Sequence, residues 1–168
     1  MSPAEVARAL RLRLASELAD DRAVLDRLAA AVESLRAPTG DTRGEWMRAR
    51  ALAFEIERYY TAVEATLARV LRSLDGAAPT GGPAWHMDLL RAAAAAVQAG
   101  RPALLSHETA AHLRELLKFR HLARHGYDDE PDLTRLSGHA GRIAAAHAGL
   151  GSSLDVLDGW LRAPAAGS

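Results

Sequence analysis

The side chains best suited to chemistry fall in one ten-residue stretch that is rich in arginine and histidine. The stretch runs from position 118 to 127, and its polar members are Lys118, Arg120, His121, Arg124, His125 and Tyr127. Arginine binds phosphate through a planar fork of N–H donors, and histidine is the side chain best suited to proton transfer near pH 7. Together these groups suit metal-free RNA cleavage, in which the ribose 2′-hydroxyl attacks the adjacent phosphate and a cation stabilises the developing charge.

A single α-helix does not bring the two most reactive members of this stretch onto one face. Arg120 and His125 are separated by about 140° around an ideal helix, whereas Arg120 and Arg124 share a face. Gly126 is placed to end the helix, and a histidine at a helix carboxyl end is favoured in its protonated form, which suits a general acid. Two arrangements are open: His125 and Tyr127 leave helical placement at the helix end, or the same helix of a second subunit completes the site.

Less specific interpretations of the same residues also stand. A histidine among arginines is more often a solvated helix residue than a catalyst. His121 and His125 are four positions apart and could bind a metal ion, but a pair supplies only two ligands. Glu115, His112 or Asp128 would have to complete such a centre. The favoured interpretation is a site without a metal or other cofactor.

The overall charge of the chain hides this local concentration. The 168 residues carry 21 basic and 21 acidic side chains and no cysteine. Neutrality argues against uniform coating of nucleic acid, and the lack of cysteine excludes disulfides, thiolate metal sites and a cysteine nucleophile. From Arg101 to Tyr127 the local charge is +3, and the next five residues carry four carboxylates. The sequence therefore predicts a basic helix that ends in an acidic turn.

The rest of the chain predicts a helical scaffold for this stretch. Alanine and leucine dominate, while β-branched and aromatic residues are scarce, which favours helix over strand. We expect an all-α, single-domain antiparallel bundle of about five helices over residues 1–162, with a frayed tail over 163–168. The predicted helices span about 3–36, 42–75, 85–99, 107–125 and 131–161. We expect Ser2 and Ser106 to cap the first and fourth helices.

Some positions predict irregularities in these helices. The first helix can bend near Asp20. The last helix can bend or break near Gly149 and Gly151, because each glycine weakens a helix interior by about 1 kcal/mol relative to alanine. The alanine run at 92–96 either lets another helix approach closely or reflects helix propensity alone. The expected apolar faces of the first two helices include Val6, Leu10, Met47 and Phe54.

The sequence also suggests where the protein works. No apolar run reaches the roughly 18 residues that a membrane span needs. Charged residues interrupt the apolar residues at the start of the chain, which is not typical of a signal peptide. We therefore expect a cytoplasmic protein with no membrane partner.

Arg120, His125 and Tyr127 form an Arg-x4-His-x-Tyr motif. It resembles the motif of HepT-like proteins, HEPN-domain ribonuclease toxins of bacterial toxin–antitoxin modules. The longer string at 119–128, FRHLARHGYD, is similar to one branch of that family. Many members carry asparagine directly after the motif arginine, where this chain has His121. Further similar segments are 54–71, with Tyr59, Tyr60 and Glu64, and the pair Trp85 and His86.

The resemblance implies a function and assigns roles to the motif residues. HepT-like toxins are metal-independent endoribonucleases that act as homodimers, so Arg120 would bind and polarise the scissile phosphate of RNA and His125 would be the acid–base residue. The antitoxin of such a type VII-like system is a minimal nucleotidyltransferase that transfers AMP from ATP to the motif tyrosine, here Tyr127. By their charge, Arg124, His121 and Lys118 would be further phosphate contacts. The alternative is a non-catalytic helical subunit that serves as the partner or substrate of a nucleotidyltransferase.

Overall fold

Five α-helices and no strand make up the part of the chain that the structure describes, which confirms the predicted all-α helical bundle. The structure is a computed structural model. It describes residues 1–97, 100–125 and 132–164, and for residues 119–125 it describes the backbone alone. The helices are α1 (Pro3–Ser34), α2 (Thr42–Leu74), α3 (Trp85–Ala94), α4 (His107–His125) and α5 (Leu133–Arg162).

Polar side chains at the helix starts fix where the helices begin. Ser2 caps α1 in a reciprocal box with Glu5, and Asp41 caps α2 by accepting from the Gly44 amide at 2.9 Å. Ser106 accepts from the amide of Thr109 at 3.0 Å, so it caps α4 as the sequence predicts. Each of these oxygens satisfies an amide that has no partner within its helix.

The core lies where the long helices meet. α1 packs against α2 and α5, and α4 packs against α3, α5 and α2. Leucine dominates the buried set, with Ile56 and Ile143 and two fully buried tyrosines, Tyr59 and Tyr60. No helix in the described part of the chain is long and apolar enough to cross a membrane.

The apolar faces of α1 and α2 are narrower than the sequence predicts. Val6 and Leu10 are 39% and 61% exposed, and Met47 and Phe54 are 59% and 58% exposed. In α1 the reason is helix length. Arg11 donates to the main-chain oxygen of Trp160, close to the end of α5, so the first turns of α1 extend beyond their neighbour. In α2 the buried positions 49, 52, 56 and 59 set a face that excludes positions 47 and 54.

The predicted break in α5 near Gly149 is wrong, because α5, like α1, runs without interruption. Gly149 and Gly151 serve close packing instead. A Cβ atom at Gly149 would lie under 3.0 Å from the Thr109 hydroxyl on α4, and one at Gly151 would lie 2.7 Å from the guanidinium of Arg22 on α1. Arg22 also donates to the Gly151 carbonyl oxygen at 3.0 Å. Gly149 therefore lets α4 approach α5, and Gly151 leaves room for the Arg22 side chain.

The predicted extension of α3 to Ala99 is also wrong, because α3 ends at Ala94 and Ala95 is extended. A buried arginine accounts for the early end. The Arg101 guanidinium donates to the carbonyl oxygens of Ala92 and Ala95 at 3.1 and 3.0 Å and binds the Asp75 carboxylate at 2.7 Å. Arg101 is 3% exposed and lies before α4, so it does not belong to the basic helix that the sequence predicts.

Substitution of Gly149 tests the contact between α4 and α5. We expect Gly149→Ala to lower the free energy of unfolding by about 1–3 kcal/mol, because the added methyl group overpacks against Thr109. Gly141→Ala is the matched control in the same helix, since a Cβ there meets no atom within 4 Å. It should raise stability by up to about 1 kcal/mol. Urea denaturation measures both, and equal effects of the two substitutions would contradict the assignment.

Candidate functional site

The predicted site lies at the carboxyl end of α4. The structure places the backbone of Arg120 and His125 in the last turns of that helix, with His125 as its final residue. On an ideal helix these two positions remain about 140° apart. The side chains of Arg120, His121, Arg124 and His125, and the whole of Tyr127, lie outside the described residues.

Lys118 is the predicted phosphate contact whose side chain the structure describes. Its side chain is 70% exposed, and the ammonium binds the Glu115 carboxylate one turn earlier at 2.6 Å. The lysine lowers the pKa of Glu115 below its usual value, mainly through this hydrogen bond. Lys118 therefore faces solvent, but an acidic neighbour partly compensates its charge.

On the α5 side, α4 faces a buried histidine. His139 is 9% exposed. Burial lowers its pKa below the usual value, the charges of Arg142 and Arg135 lower it further, and Glu115 on α4 opposes them. Glu115 thus lies near His139 while Thr109 lies near Gly149. This order shows that α4 and α5 are antiparallel, so the motif end of α4 points towards the start of α5.

On the other side of the bundle, a buried carboxylate joins α2 to α3. Glu64 is 5% exposed, and its side chain is hydrogen-bonded to Nδ1 of His86. The rings of Trp85 and His86 are stacked with their centroids 3.6 Å apart. The sequence marks both segments, but nothing in their spacing predicts this contact across 22 positions.

A second hydrogen-bonded group joins α1, α2 and α5. The Tyr59 hydroxyl lies 3.3 Å from Nδ1 of His147, and Nε2 of the same ring lies 3.0 Å from the Asp26 carboxylate. Burial raises the pKa of Tyr59, and the charge of Asp26 raises it further, so Tyr59 stays protonated at neutral pH. Sequence reasoning missed this group, because its members are far apart along the chain.

The described residues add no further ligands to the possible metal site. They contain no group of three or more histidine, aspartate or glutamate side chains that could hold a metal ion. His112 lies 3.9 Å from Glu108, within its own helix. The other ligands considered, His121, His125 and Asp128, fall outside the described side chains.

The fold and the motif define a helical-bundle protein whose candidate site is carried by the end of one helix. A family model described as HepT-like protein matches residues 51–159. The chain therefore belongs to the HepT-like family of HEPN proteins, as the motif indicates. The match begins within α2 and ends within α5. No curated protein and no solved structure matches the chain.

The pKa of His139 predicts an acid sensitivity of the contact between α4 and α5. Because burial lowers its folded-state pKa below the unfolded value near 6.5, the unfolded chain binds this proton more readily. The stability that His139 contributes is therefore present above about pH 6.5 and is lost as pH falls through the folded-state pKa.

We expect His139→Gln to lose less unfolding free energy than wild type between neutral pH and pH 5. Each unit of pKa difference is worth about 1.4 kcal/mol below both pKa values. Urea denaturation at a series of pH values gives the comparison. His107→Gln, at an exposed histidine of α4, is the control. Parallel pH profiles of wild type and His139→Gln would exclude this role.

Proposed function

We propose that the chain is the toxin of a type VII-like HEPN toxin–antitoxin module and acts as a metal-independent endoribonuclease. One observation carries the proposal: a chain of the HepT-like family has an Arg-x4-His-x-Tyr motif, and its arginine and histidine lie in the last turns of α4. The helical position of the histidine supports the acid–base role, because the carboxyl end of a helix favours the imidazolium form.

In the proposed reaction, the ribose 2′-oxygen forms a bond to the adjacent phosphorus as its proton leaves to water. The bond from phosphorus to the 5′-oxygen breaks, and His125 donates a proton to that leaving oxygen. Arg120 holds the phosphate through its planar fork of donors and stabilises the charge that develops on it. The products are a cyclic phosphate end and a free 5′-hydroxyl end.

A homodimer would reconcile this chemistry with helical geometry. Because Arg120 and His125 stand about 140° apart on one helix, the arginine of one subunit and the histidine of the other can face the same cleft. In this arrangement RNA is the substrate, and Lys118, His121 and Arg124 contact phosphates on either side of the cleavage point. The exposure of Lys118, 70% of its side chain, supports such a contact.

The proposed partner is a minimal nucleotidyltransferase antitoxin. The Tyr127 hydroxyl would attack the α-phosphorus of ATP, pyrophosphate would leave, and AMP would remain on the tyrosine oxygen. The added phosphate places negative charge two positions from His125, where the RNA phosphate must bind. Like-charge repulsion would then keep the substrate out.

Cleavage is tested with the purified chain, a mixed single-stranded RNA and EDTA. We expect wild type to cut the RNA, and Arg120→Ala and His125→Ala to be slower by about 10²–10⁴-fold, since positioned acid–base groups contribute that much. Arg27→Ala, at an exposed arginine of α1, is the charge-matched control. If wild type leaves RNA intact, and its expression without the antitoxin leaves growth unchanged, the non-catalytic alternative replaces this proposal.

Modification is tested separately by intact mass after incubation with ATP and a minimal nucleotidyltransferase of the proposed antitoxin class. We expect the mass to rise in units of one adenylyl group and the rise to be absent in Tyr127→Phe. Tyr59→Phe removes a buried hydroxyl instead and should be modified like wild type. An adduct that persists in Tyr127→Phe would assign the modification to another residue.

A further inference from the structure

A groove lies between α3 and α4, beside the part of α4 that precedes the motif. Its volume is about 340 Å³, within the range of roughly 300–1,000 Å³ that is common for small-ligand sites. Its lining combines an apolar floor with arginine and histidine side chains: Leu90, Ala94 and Ala110 with Arg91, His107 and Arg114. Neither the motif nor the family match assigns a role to this groove.

The floor of the groove is apolar because aliphatic side chains of α3 and α4 line it. Leu90 and Ala110 are buried, at 2% and 3% exposure, and Ala94 is half-buried. Met87 also lines the groove, and the small side chains of Ala94 and Ala110 leave space between the two helices. A planar ring can therefore lie on this floor and bury its face against aliphatic carbon.

The rim of the groove carries an excess of positive charge. Arg91 is paired with Asp88 at 2.7 Å, so its charge is compensated. Arg114 and His107 are exposed, and neither makes an ion pair within the described part of the chain. His107 is also the first residue of α4, where the helix dipole favours an anion. A ring on the floor and an anionic group on the rim describe the two halves of a nucleotide.

Helical register connects the groove to the motif. His107, Arg114 and His125 are separated by seven and eleven positions, which leaves them within about 20° of one line along an ideal helix. Lys118 stands within about 40° of that line. From Arg114 to His125 the rise is about 16 Å. The groove and the proposed general acid thus stand along one edge of α4, more than a single nucleotide apart.

We propose that this groove, with Leu90, Ala94 and Ala110 as its floor and Arg114 and His107 at its rim, binds one nucleotide of single-stranded RNA away from the cleavage point. The base packs on the apolar floor and its phosphate is held by Arg114 and His107. The strand then follows α4 past Lys118 to His125. This inference rests on the proposed ribonuclease function, because it assigns the groove to the same substrate.

The experiment measures binding of a fluorescein-labelled single-stranded RNA decanucleotide by anisotropy, in a His125→Ala background that prevents cleavage. We expect Arg114→Ala to weaken binding about tenfold and to reduce the slope of log K against log salt by about 0.7, the value for one lost phosphate contact on a single strand. Ala94→Leu fills the floor without changing charge. It should weaken binding about tenfold, as loss of one base contact does, with the salt slope unchanged.

Two controls separate the groove from general effects. Arg27→Ala removes an exposed arginine from α1, which packs on α2 and α5 rather than on α3 or α4, and it should bind like the parent. Ala95→Leu, at an exposed groove position, replaces Ala94→Leu if the latter does not fold. A labelled dinucleotide is too short to join groove and motif, so the parent should bind it more weakly than the decanucleotide.

The outcomes distinguish this inference from the ribonuclease proposal. The groove proposal is overturned if Arg114→Ala and Ala94→Leu bind RNA as tightly as Arg27→Ala does, even when wild type cleaves RNA. Weakened binding in both groove variants, with no cleavage by wild type, supports the groove and removes the nuclease. A parent that binds no RNA overturns the groove. The groove proposal is also overturned if the groove variants bind RNA normally but no longer bind the nucleotidyltransferase.

Discussion

The close approach of α4 to α5 is the contact on which the position of the candidate site depends. Thr109 packs where Gly149 has no side chain, and further along the same interface Glu115 faces the buried His139. These contacts fix the rotation and register of α4, and the last turns of that helix carry Arg120 and His125. A larger residue at position 149 would displace the helix that presents the motif.

An ion pair formed by the buried Arg101 brings α4 into that position. Arg101 binds Asp75, which follows α2, and donates hydrogen bonds to carbonyl oxygens at the end of α3. One guanidinium therefore ends α3 and holds the segment that connects α3 to α4. Leu104 then donates to the Ala93 carbonyl oxygen at 2.8 Å and is buried beside Leu105. Because this connection turns back on α3, α3 and α4 are neighbours and the groove lies between them.

The exposed positive charge is distributed differently from what a count of charged residues along the sequence indicates. Arg101 is buried against Asp75, and Lys118 shares its charge with Glu115. Arg114 and Arg91 are the exposed arginines at the groove, and Asp88 pairs with Arg91. Neutrality of the whole chain therefore argues against non-specific coating of nucleic acid but is compatible with one confined track along α4.

The sequence alone determined the helical class, the number of helices, the caps at Ser2 and Ser106 and the family, because composition, periodicity and a motif are local properties. Sequence reasoning predicted a helix break at Gly149, whereas this glycine makes room for the Thr109 side chain. It also counted the buried Arg101 as a surface charge. Only the tertiary structure decided the role of Gly149, the burial of Arg101 and the pairing of Glu64 with His86. Close packing and burial depend on residues that are distant along the chain.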